Sequence, residues 1–576
     1  MTGGGEEEAI PIFARRATGL VREIGPFGLM TITMSYAIGG GINLLSVKNG
    51  ALYPGSHVGL AFLIAGIPVL LVAICYAFLA IMMPRSGGSY IFVSRIISPI
   101  WGFLISWVSF LGGWLLIGII AYYDVYFWGT MLWCVGIAFN NPGIVGAAEW
   151  LMDPFNSLWL GIVFLIIAFI ICSLRITTLV RIIQALWTIP VVGSIMILIT
   201  YGANWGIAAV SPDRFREIWD SFMGRGHYDA TMAIAEDNGF DPAKWTTFSW
   251  TQTMNAAIYA AIWAYGSPAT PPTAVAGEVK IPTKTQMVGT ALGTFFIMAY
   301  YVSVSTVMFG ACDPFIRAYT YNYYTVGPHY AEEWNVTRTE ALKRLYADYM
   351  GVSPEEVRIV TPNLPFFAGI LSQNMGLAAF YAASAAIWLW NDIPPFYLYL
   401  TRFVFAWAFD RVFPTFLTKI HPTLRSPIYA NLLILILSII SCAMCWGWWV
   451  YGIFAFLDQV ACWSWIFPDM FVALAAVLAP IFREDIFKES PLAGIKYAKI
   501  LMIIIGILAF FGMTLFVYLV QGTFYAAGPS VVAVTPDLLL VIGWLTLGVI
   551  IFSAYSYYNT KRGIPVHEIY KALPPA

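Results

Sequence analysis

The amino-acid sequence predicts an all-α polytopic membrane protein with twelve transmembrane helices. Hydrophobic residues make up 60% of its 576 residues, and charged residues make up only 11%. A soluble domain is typically about 45–50% apolar and about 25% charged, so this chain has too few polar residues to cover a soluble surface. The formal net charge of -1 provides no basic field for a polyanion. The composition therefore excludes a soluble enzyme, a nucleic-acid binder and a disordered scaffold.

Twelve apolar runs predict the membrane spans. A helix needs roughly 20 apolar residues to cross about 30 Å of hydrocarbon. The runs of about that length are Gly25–Val47, Val58–Met83, Pro99–Tyr126, Leu158–Leu174, Ile182–Tyr201, Trp250–Ala276, Met287–Cys312, Phe366–Leu389 with an apolar continuation to Trp407, Ile428–Trp449, Tyr451–Ile481, Ile500–Val520 and Leu538–Tyr557.

The distribution of Lys and Arg predicts the orientation of these spans. With the N-terminus inside, 20 of the 30 Lys and Arg residues fall on the inner side, as expected for cytoplasmic segments. Both termini are then cytoplasmic in a multi-pass protein of the cell membrane. Two long loops, Gly202–Phe248 and Asp313–Pro365, are then extracellular. The second loop contains Asn335 in a glycosylation acceptor pattern, a short motif with a high false-positive risk.

Two of the twelve runs are interrupted. The first carries Gly39-Gly40-Gly41 near its middle, and the sixth carries Gly266 followed by three prolines. Glycine costs about 1 kcal/mol of helix propensity, and proline removes a backbone donor. A single glycine cluster is also explained by close helix packing or a kink. Interrupted runs at matching positions of two inverted halves are instead typical of a transporter's binding site.

The positions of the breaks predict two halves of five helices each, inserted with opposite orientation. The predicted segments are a cytoplasmic N-terminal segment 1–24, a first repeat 25–201, an extracellular loop 202–248, a second repeat 249–481 that includes the extracellular loop 313–365, helices eleven and twelve within 482–558, and a cytoplasmic tail 559–576.

Each broken helix offers unpaired backbone groups. The N-terminal end of a half-helix presents N–H groups and a partial positive charge, which suit a carboxylate. The carbonyl end of a half-helix suits an ammonium group or a cation. Two neighbouring breaks therefore predict a receptor for a zwitterion, and glycine permits the close approach that such a receptor needs.

Five segments resemble, in order, the motifs of the amino acid–polyamine–organocation (APC) permease superfamily. They are the first break Gly39–Asn43, the loop Met83–Phe92 with its Gly-Gly-x-Tyr pattern, Tyr265-Gly266 in the second break, the segment Ala276–Lys284 and the loop Thr401–Pro427. The resemblance implies the LeuT-type fold, with ten core helices plus two. It also implies secondary transport of amino acids or related amines by alternating access, and not an enzymatic activity.

The resemblance also implies roles for individual residues. The backbone at the first break would bind the substrate carboxylate through Gly39, Gly40, Gly41 and Ile42. The second break would bind the amine through Tyr265, Gly266 and Ser267, with Trp263 and Tyr265 as candidate aromatic lids. The gate loops on the inner side would be Gly87-Gly88 and the loop from Arg402 to Asp410.

The sequence also departs from the family pattern. Gly40 stands where many members have Ser or Thr, and the fifth run has no lysine near Gln184–Val191, where proton-coupled members often carry one. A fixed ammonium group at that position is therefore not predicted.

Ionisable residues inside membrane spans are functional candidates by default. The candidates for coupling or counter-charge are Asp124, Asp458 and Glu278. An acid at the outer membrane interface is the alternative interpretation of Asp124. Glu278 is expected to pair with Lys280 or Arg402 at the inner gate.

Two further acids, Asp392 and Asp469, are expected near the inner interface and are assigned no role.

Amino acid transport is the leading functional hypothesis, and the absence of an acid beside Gly266 favours neutral substrates. An amine or polyamine transporter or exporter that uses Asp124 is the alternative, and an ion channel is a third, although no filter motif is present. The acids in the spans favour proton coupling or exchange, and sodium coupling is also compatible with the sequence. The expected partners are the substrate and the lipid bilayer but no nucleic acid, for a monomer or a homodimer.

The sequence predicts no cofactor and no metal site. Cys442 and Cys445 are spaced C-x-x-C, but no His or second Cys pair follows at the spacing of a zinc site.

Overall fold

A computed structural model describes residues 13–14, 18–258, 262–451, 457–524, 536–564 and 566–575. Within these residues the regular elements are helices, and an isolated β-bridge joins Ile24 to Val279. The all-α prediction is therefore confirmed.

The N-terminal part of the bundle begins with a bent helix pair. The helices are α1 (Pro26–Ala37), α2 (Ser46–Leu52), α3 (Val58–Met82), α4 (Gly88–Ile96), α5 (Pro99–Ala138), α6 (Pro142–Met152), α7 (Pro154–Cys172) and α8 (Ile176–Ala203). A π-helical turn, Gly41–Leu45, leads into α2, and the segments Pro26–Ala37 and Gly41–Leu52 are bent by 43° relative to each other. The first predicted span coincides with this bent pair.

Short helices occupy the first predicted extracellular loop, and a second interrupted segment follows it. The helices are α9 (Ile207–Val210), α10 (Pro212–Met223), α11 (His227–Asp237), α12 (Pro242–Thr246), α13 (Trp250–Ala256), α14 (Ile262–Tyr265), α15 (Thr270–Ala274), α16 (Pro282–Gln286) and α17 (Gly293–Cys312). A second π-helical turn, Met287–Leu292, joins α16 to α17.

The rest of the chain continues with the second predicted extracellular loop and then with long helices. The helices are α18 (Phe315–Tyr321), α19 (Gly327–Trp334), α20 (Arg338–Met350), α21 (Leu364–Ser372), α22 (Met375–Phe409), α23 (Ile428–Tyr451), α24 (Leu457–Phe482), α25 (Glu484–Glu489), α26 (Ala498–Phe524), α27 (Pro536–Lys561) and α28 (Val566–Ile569). A third π-helical turn, Asn322–Val326, lies between α18 and α19.

Among the described residues, nine helices are long and apolar enough to cross a membrane, or ten if the bent pair is one span. These ten correspond to ten of the twelve predicted runs. Of the other two runs, the eighth falls on α22, and the sixth falls on the interrupted segment α13–α15.

Two predicted boundaries are wrong. Helix α5 continues twelve residues beyond Tyr126, to Ala138. The eighth span does not begin at Phe366, because that residue belongs to the separate helix α21, which ends before Gln373 in the left-handed region (φ 50°). The side chain of Asn374 then caps α22 by accepting a hydrogen bond from the Leu377 amide.

The helices in the two long loops pack against each other, and we call α9–α12 with α18–α20 the loop cap. Ile234 of α11, Tyr323 beside α18 and Tyr346 of α20 share one hydrophobic cluster. Asn322 Nδ2 lies within hydrogen-bond distance of the Thr231 carbonyl oxygen (2.9 Å) and the Tyr346 hydroxyl (3.0 Å). Two segments that the sequence presents as separate loops therefore form one helical unit.

A buried arginine joins the loop cap to the segment after the first break. The guanidinium of Arg317 donates to the carbonyl oxygens of Gly50 (2.9 Å) and Ser56 (2.9 Å), and to Asp313 Oδ1 (2.8 Å). Hydrogen bonds that involve a charged group are worth about 1.5–3 kcal/mol each. The loop cap is therefore fixed to the segment that follows the first break.

The interior of the loop cap contains a histidine that favours the neutral state. His227 is fully buried, accepts a hydrogen bond from Trp219 Nε1 at Nδ1 (3.0 Å), and places Nε2 3.0 Å from the Arg358 carbonyl oxygen. Burial lowers the pKa of His227 to about 4 from its usual value of 6.5. A folded-state pKa below the unfolded value means that the stability contribution is present above pH 6.5 and is lost as the pH falls toward 4.

We expect the loop cap to loosen in mild acid. Between pH 7 and pH 4.5, protonation of His227 should cost roughly 2 kcal/mol of cap stability. Amide hydrogen exchange in α10 and α11, corrected for the intrinsic pH dependence, should accelerate accordingly. His227→Gln should remove this acid response, whereas His329→Gln, at an exposed side chain, should retain it. The same acid response in wild type and His227→Gln would contradict the assignment.

Candidate functional site

A cavity of about 490 Å³ lies where the two helix breaks meet. Its volume is within the range of about 300–1,000 Å³ that is typical of small-molecule sites. Five of the eight residues predicted to bind substrate line it: Gly40, Gly41, Trp263, Tyr265 and Gly266. The other three, Gly39, Ile42 and Ser267, are buried or half-buried behind its wall.

The first break exposes the start of a half-helix to this cavity. Helix α1 ends at Ala37, and helical conformation resumes at Gly40 (φ -59°, ψ -35°) and continues through the π-helical turn into α2. The first four N–H groups of a helix have no intrahelical partner. Because Gly40 and Gly41 line the cavity, the first of these N–H groups lie at the cavity wall.

Glycine is required at the first break because other elements approach the backbone closely. A Cβ atom added at Gly39 would overlap the carboxylate of Asp392, and one added at Gly41 would lie 2.8 Å from the Cα of Ala264 in α14. Gly41 and Ala264 therefore bring the two breaks into direct contact. At Gly40 a Cβ would meet only Leu389 Cδ1, at 3.2 Å.

The second break ends at a glycine in the left-handed region. Helix α14 stops at Tyr265, Gly266 has φ 57°, and helical conformation resumes at Thr270. The hydroxyl of Tyr301 in α17 donates to the Ala37 carbonyl at the end of α1 and lies 3.2 Å from the Ala264 carbonyl. One side chain thus serves the carbonyl ends of both interrupted helices.

The two candidate lid residues differ in their surroundings. Tyr265 is fully buried, and its hydroxyl donates to the Phe62 carbonyl of α3 at 2.8 Å. Trp263 is half-buried and packs edge-on against Trp465, with ring centroids 5.9 Å apart. Trp263 is therefore the more exposed of the two aromatic residues that line the cavity.

Two acids that the sequence analysis left without a role lie at the breaks. Asp392 is 5% exposed and lines the cavity beside Gly39. Asp469 is 2% exposed and accepts hydrogen bonds from Ser267 Oγ (2.7 Å) and the Tyr76 hydroxyl (3.1 Å) at the second break. Their expected position near the inner interface is wrong.

The position of Asp392 differs from the expectation because α22 continues through Pro394 and Pro395 to Phe409. Asp392 therefore lies near the middle of a 35-residue helix and not at its end. The sequence signal that could have located Asp392 is an Asn-Asp pair deep inside an apolar run. This run continues beyond Pro394 and Pro395 without turn residues after them.

The predicted coupling residues have different environments. Asp124 is fully buried in α5, inside the bundle. Its location does not fit an acid at the membrane interface. Asp458 lies in α24, but its side chain is outside the described residues. Glu278 accepts two hydrogen bonds from Arg402, at Oε1 from Nε (2.9 Å) and at Oε2 from Nη2 (2.8 Å).

This Glu278–Arg402 pair belongs to a group of buried charges that we call the gate cluster, together with Tyr90, Arg95 and Asp410. Asp410 Oδ2 accepts hydrogen bonds from Arg95 Nη1 (2.6 Å) and the Tyr90 hydroxyl (2.7 Å). All three side chains are buried. The charges are therefore screened from water in this conformation.

The predicted gate glycines connect this cluster to the second break. Gly87 donates its N–H to the carbonyl of Ala274, the last residue of α15 (2.9 Å). Both Gly87 (φ 122°) and Gly88 (φ 45°) have positive φ, and a Cβ at Gly87 would lie 2.8 Å from Ala406 Cβ in α22. The Gly-Gly pair thus allows α15 and α22 to pack closely against this loop.

The C-terminal tail covers the gate cluster. The ring of Tyr570, which is 6% exposed, lies 5.0 Å from the guanidinium carbon of Arg95. Arg483 Nη2 donates to the Lys571 carbonyl (3.1 Å), and Arg85 Nε donates to the Pro574 carbonyl (2.5 Å). The described tail therefore packs against the end of the bundle that contains Arg95.

Comparison with known proteins identifies the family. A sequence model described as amino acid permease matches residues 24–320 and 345–556. The chain belongs to this family. The resemblance to APC permeases that the five motifs predict is thereby confirmed.

Curated relatives share short segments with this permease. The human "Large neutral amino acids transporter small subunit 2" is 37% identical over 114 residues, which cover 19% of this chain and 21% of the relative. The human "Asc-type amino acid transporter 1" is 37% identical over 101 residues, 17% of this chain and 19% of the relative. The mouse "Cationic amino acid transporter 4" is 33% identical over 90 residues, 16% of this chain and 14% of the relative. The matches therefore span about a fifth or less of the relatives' length.

A solved structure with a similar fold is that of MhsT in complex with L-phenylalanine. It covers 86% of this chain and 99% of its own, with a TM-score of 0.51 and 12% sequence identity. The similarity at this identity concerns the fold alone, and it supports the expected LeuT-type architecture.

We expect Glu278→Gln to destabilise the closed permease, because it leaves the buried guanidinium of Arg402 without its carboxylate. Removing one partner of a buried ion pair costs about 3–5 kcal/mol, which should appear as a lower unfolding temperature in detergent. Asp485→Asn is the matched control, since Asp485 forms an exposed pair with Arg483 and such pairs are worth about 0–1 kcal/mol. Equal small effects of the two substitutions would contradict the importance of the Glu278–Arg402 pair.

Proposed function

We propose that this permease is a secondary transporter that carries amino acids across the cell membrane by alternating access. One observation carries the proposal: the N–H end of one half-helix and the carbonyl ends of two others meet at a single cavity. Gly41 and Ala264 bring these ends together, and Tyr301 joins their carbonyls. A carboxylate and an ammonium group separated by one carbon atom match such an arrangement.

In this proposal the substrate carboxylate binds the N–H groups at Gly40, Gly41 and Ile42, because they begin a helix that continues to Leu52. The positive end of the helix dipole adds to this attraction. The ammonium group binds the carbonyl end of α14, and Trp263 contacts the substrate side chain.

The proposed topology follows the sequence analysis. The chain crosses the membrane twelve times, with broken spans one and six and two inverted halves of five helices. Both termini are cytoplasmic, and the loop cap is extracellular. A monomer and a homodimer are both consistent with this scheme.

The proposed transport cycle uses the two ends of the cavity. In the described conformation the gate cluster is buried, whereas the cavity extends to Tyr323, Tyr324 and Thr361 at the loop cap. This corresponds to a state with its inner side closed. Opening of the inner side separates Glu278 from Arg402 and Asp410 from Arg95.

Asp392 favours a second candidate, an amine or polyamine transporter of the same family. The preference for neutral substrates was inferred from the absence of an acid beside Gly266, but Asp392 from α22 lines the same cavity. A carboxylate there provides a counter-charge for an additional amine. Competition for bound substrate by putrescine, rather than by alanine, would favour this alternative.

Uptake of labelled amino acids into proteoliposomes tests the function. We expect saturable uptake or exchange by the wild type, and its absence across a broad panel would refute amino acid transport. Gly40→Leu should abolish substrate binding, because the space beside Gly40 is part of the cavity and a leucine side chain would fill it.

Gly102→Leu serves as the matched control for Gly40→Leu. A side chain at Gly102 would overlap Ser94, so this variant should lower the yield of folded protein but not the substrate affinity of the fraction that folds. Unchanged affinity in Gly40→Leu would contradict the proposed site.

We propose that protons couple or exchange with the substrate through the acids at the first break. Asp392 reaches the cavity, and Asp124 is buried in α5, which packs against α22, the helix of Asp392. Intramembrane carboxylates in such positions typically mark ion or proton pathways. Sodium coupling is the competing mechanism.

An imposed pH gradient should accelerate uptake without sodium, and Asp392→Asn should abolish that acceleration while retaining substrate exchange. Transport is measured with and without each gradient, and Asp153→Asn, at an exposed helix cap, is the control. Strict sodium dependence would refute proton coupling. Loss of substrate binding in Asp392→Asn would instead make Asp392 the counter-charge of the substrate amine.

A further inference from the structure

The wall of the cavity is built partly by a segment that the family model does not match. The amino acid permease model matches the chain up to residue 320 and again from residue 345. The unmatched segment 321–344 supplies Tyr323, Tyr324 and Arg338 to the cavity wall. These residues belong to the loop cap, about which the family motifs carry no information.

Two cations face the same tyrosine at this wall. The guanidinium carbon of Arg338 lies 5.1 Å from the ring centre of Tyr323 and 5.8 Å from that of Tyr324. Lys48 Nζ lies 5.1 Å from the ring centre of Tyr324. Both cations line the cavity, so two basic side chains lie where this segment meets the cavity wall.

The tyrosines form a fixed platform. The Tyr323 and Tyr126 hydroxyls both lie within hydrogen-bond distance of Thr361 Oγ1, at 2.8 Å and 3.2 Å. This network joins the unmatched segment to α5 of the bundle. The rings are therefore held in place, and the arginine is held over them by attraction between a cation and a π-system.

Arg338 retains hydrogen-bonding capacity. Its Nε atom is buried without an acceptor, and no ion pair of Arg338 is found in the described part of the chain. By contrast, Arg344 on the same helix pairs with Glu340. Burying a charged donor without an acceptor is costly, and a planar guanidinium matches a carboxylate well.

We propose that Arg338, with Lys48, forms an outer anion site that binds the carboxylate of the substrate before the substrate reaches the helix breaks. A carboxylate bound there supplies the acceptor that the buried Nε atom of Arg338 lacks. Lys48 lies on α2, the continuation of the half-helix that starts at Gly40, so the site leads toward the proposed carboxylate position. The inference rests on the proposed function, because it assigns the site to an amino acid on its way to the cavity.

Steady-state uptake separates this site from the central one. Arg338→Gln should raise KM about three- to ten-fold at low ionic strength, because a charge at a cavity mouth accelerates association, and it should leave kcat unchanged. Lys48→Gln should act in the same direction, and Arg338→Lys should restore most of the affinity. Arg344→Gln is the matched control on the same helix and should leave KM unchanged.

A competitor that lacks the carboxylate tests the chemistry. An amino acid methyl ester should inhibit wild type and Arg338→Gln equally, whereas the free amino acid should lose affinity in the variant. Equal losses for ester and acid, or an unchanged KM in Arg338→Gln, would overturn the anion site. An equal rise of KM in Arg344→Gln would show that the total charge of the loop cap determines KM. That result would also overturn the anion site.

Acetate provides a test that does not depend on transport. Acetate should raise the unfolding temperature of purified wild-type protein more than that of Arg338→Gln, relative to chloride at the same concentration. If acetate acts through Arg338 but no amino acid is taken up, the anion site stands and the proposed function fails. If uptake is normal, but neither KM nor the effect of acetate on the unfolding temperature depends on Arg338, the function stands and the anion site fails.

Discussion

The structure depends on one constraint: backbone groups freed by a helix break inside hydrocarbon must find partners within the protein or line a polar cavity. Both breaks of this permease meet that constraint together. The Tyr301 hydroxyl serves the carbonyl ends of α1 and α14, while the N–H groups at Gly40 and Gly41 face the cavity. A substrate that supplies the missing charges therefore completes the bonding of the break itself.

The same constraint links the cavity to its closed end. Helix α15 resumes directly after the second break, and its last carbonyl accepts the N–H of Gly87 in the gate loop. The five residues of α15 therefore connect the second break directly to the loop to which we assign the gate. The buried pairs Glu278–Arg402 and Arg95–Asp410 suit such a gate, because the desolvation of buried charges offsets much of their attraction. When water enters, hydration compensates for the separated charges, so the gate can open without a prohibitive cost.

The sequence alone predicted the structural features that depend on neighbouring residues. Hydropathy located ten of the twelve predicted spans, and the glycines and prolines at residues 39–41 and 266–272 marked the interruptions. It did not predict the features that depend on contacts between segments that are distant in the sequence. Asp392 was misplaced because two prolines suggest a helix end, but tertiary packing lets α22 continue through them. Tyr301 has no sequence pattern that reveals its contacts, because its partners lie 264 and 37 residues away.

The loop cap shows how a shared fold acquires properties of its own. The elements to which we assign binding and gating lie in regions that match the family model, whereas the segment 321–344 does not match and yet reaches the cavity wall. The cap is not a passive insertion, because Arg317 ties it to the carbonyls of Gly50 and Ser56, which follow the first broken span. Movement of that span during alternating access must therefore move the cap, or break these hydrogen bonds. As long as these hydrogen bonds persist, the loop cap and the segment after the first break move as one unit, so the proposed anion site at Arg338 keeps its position relative to the half-helix that starts at Gly40.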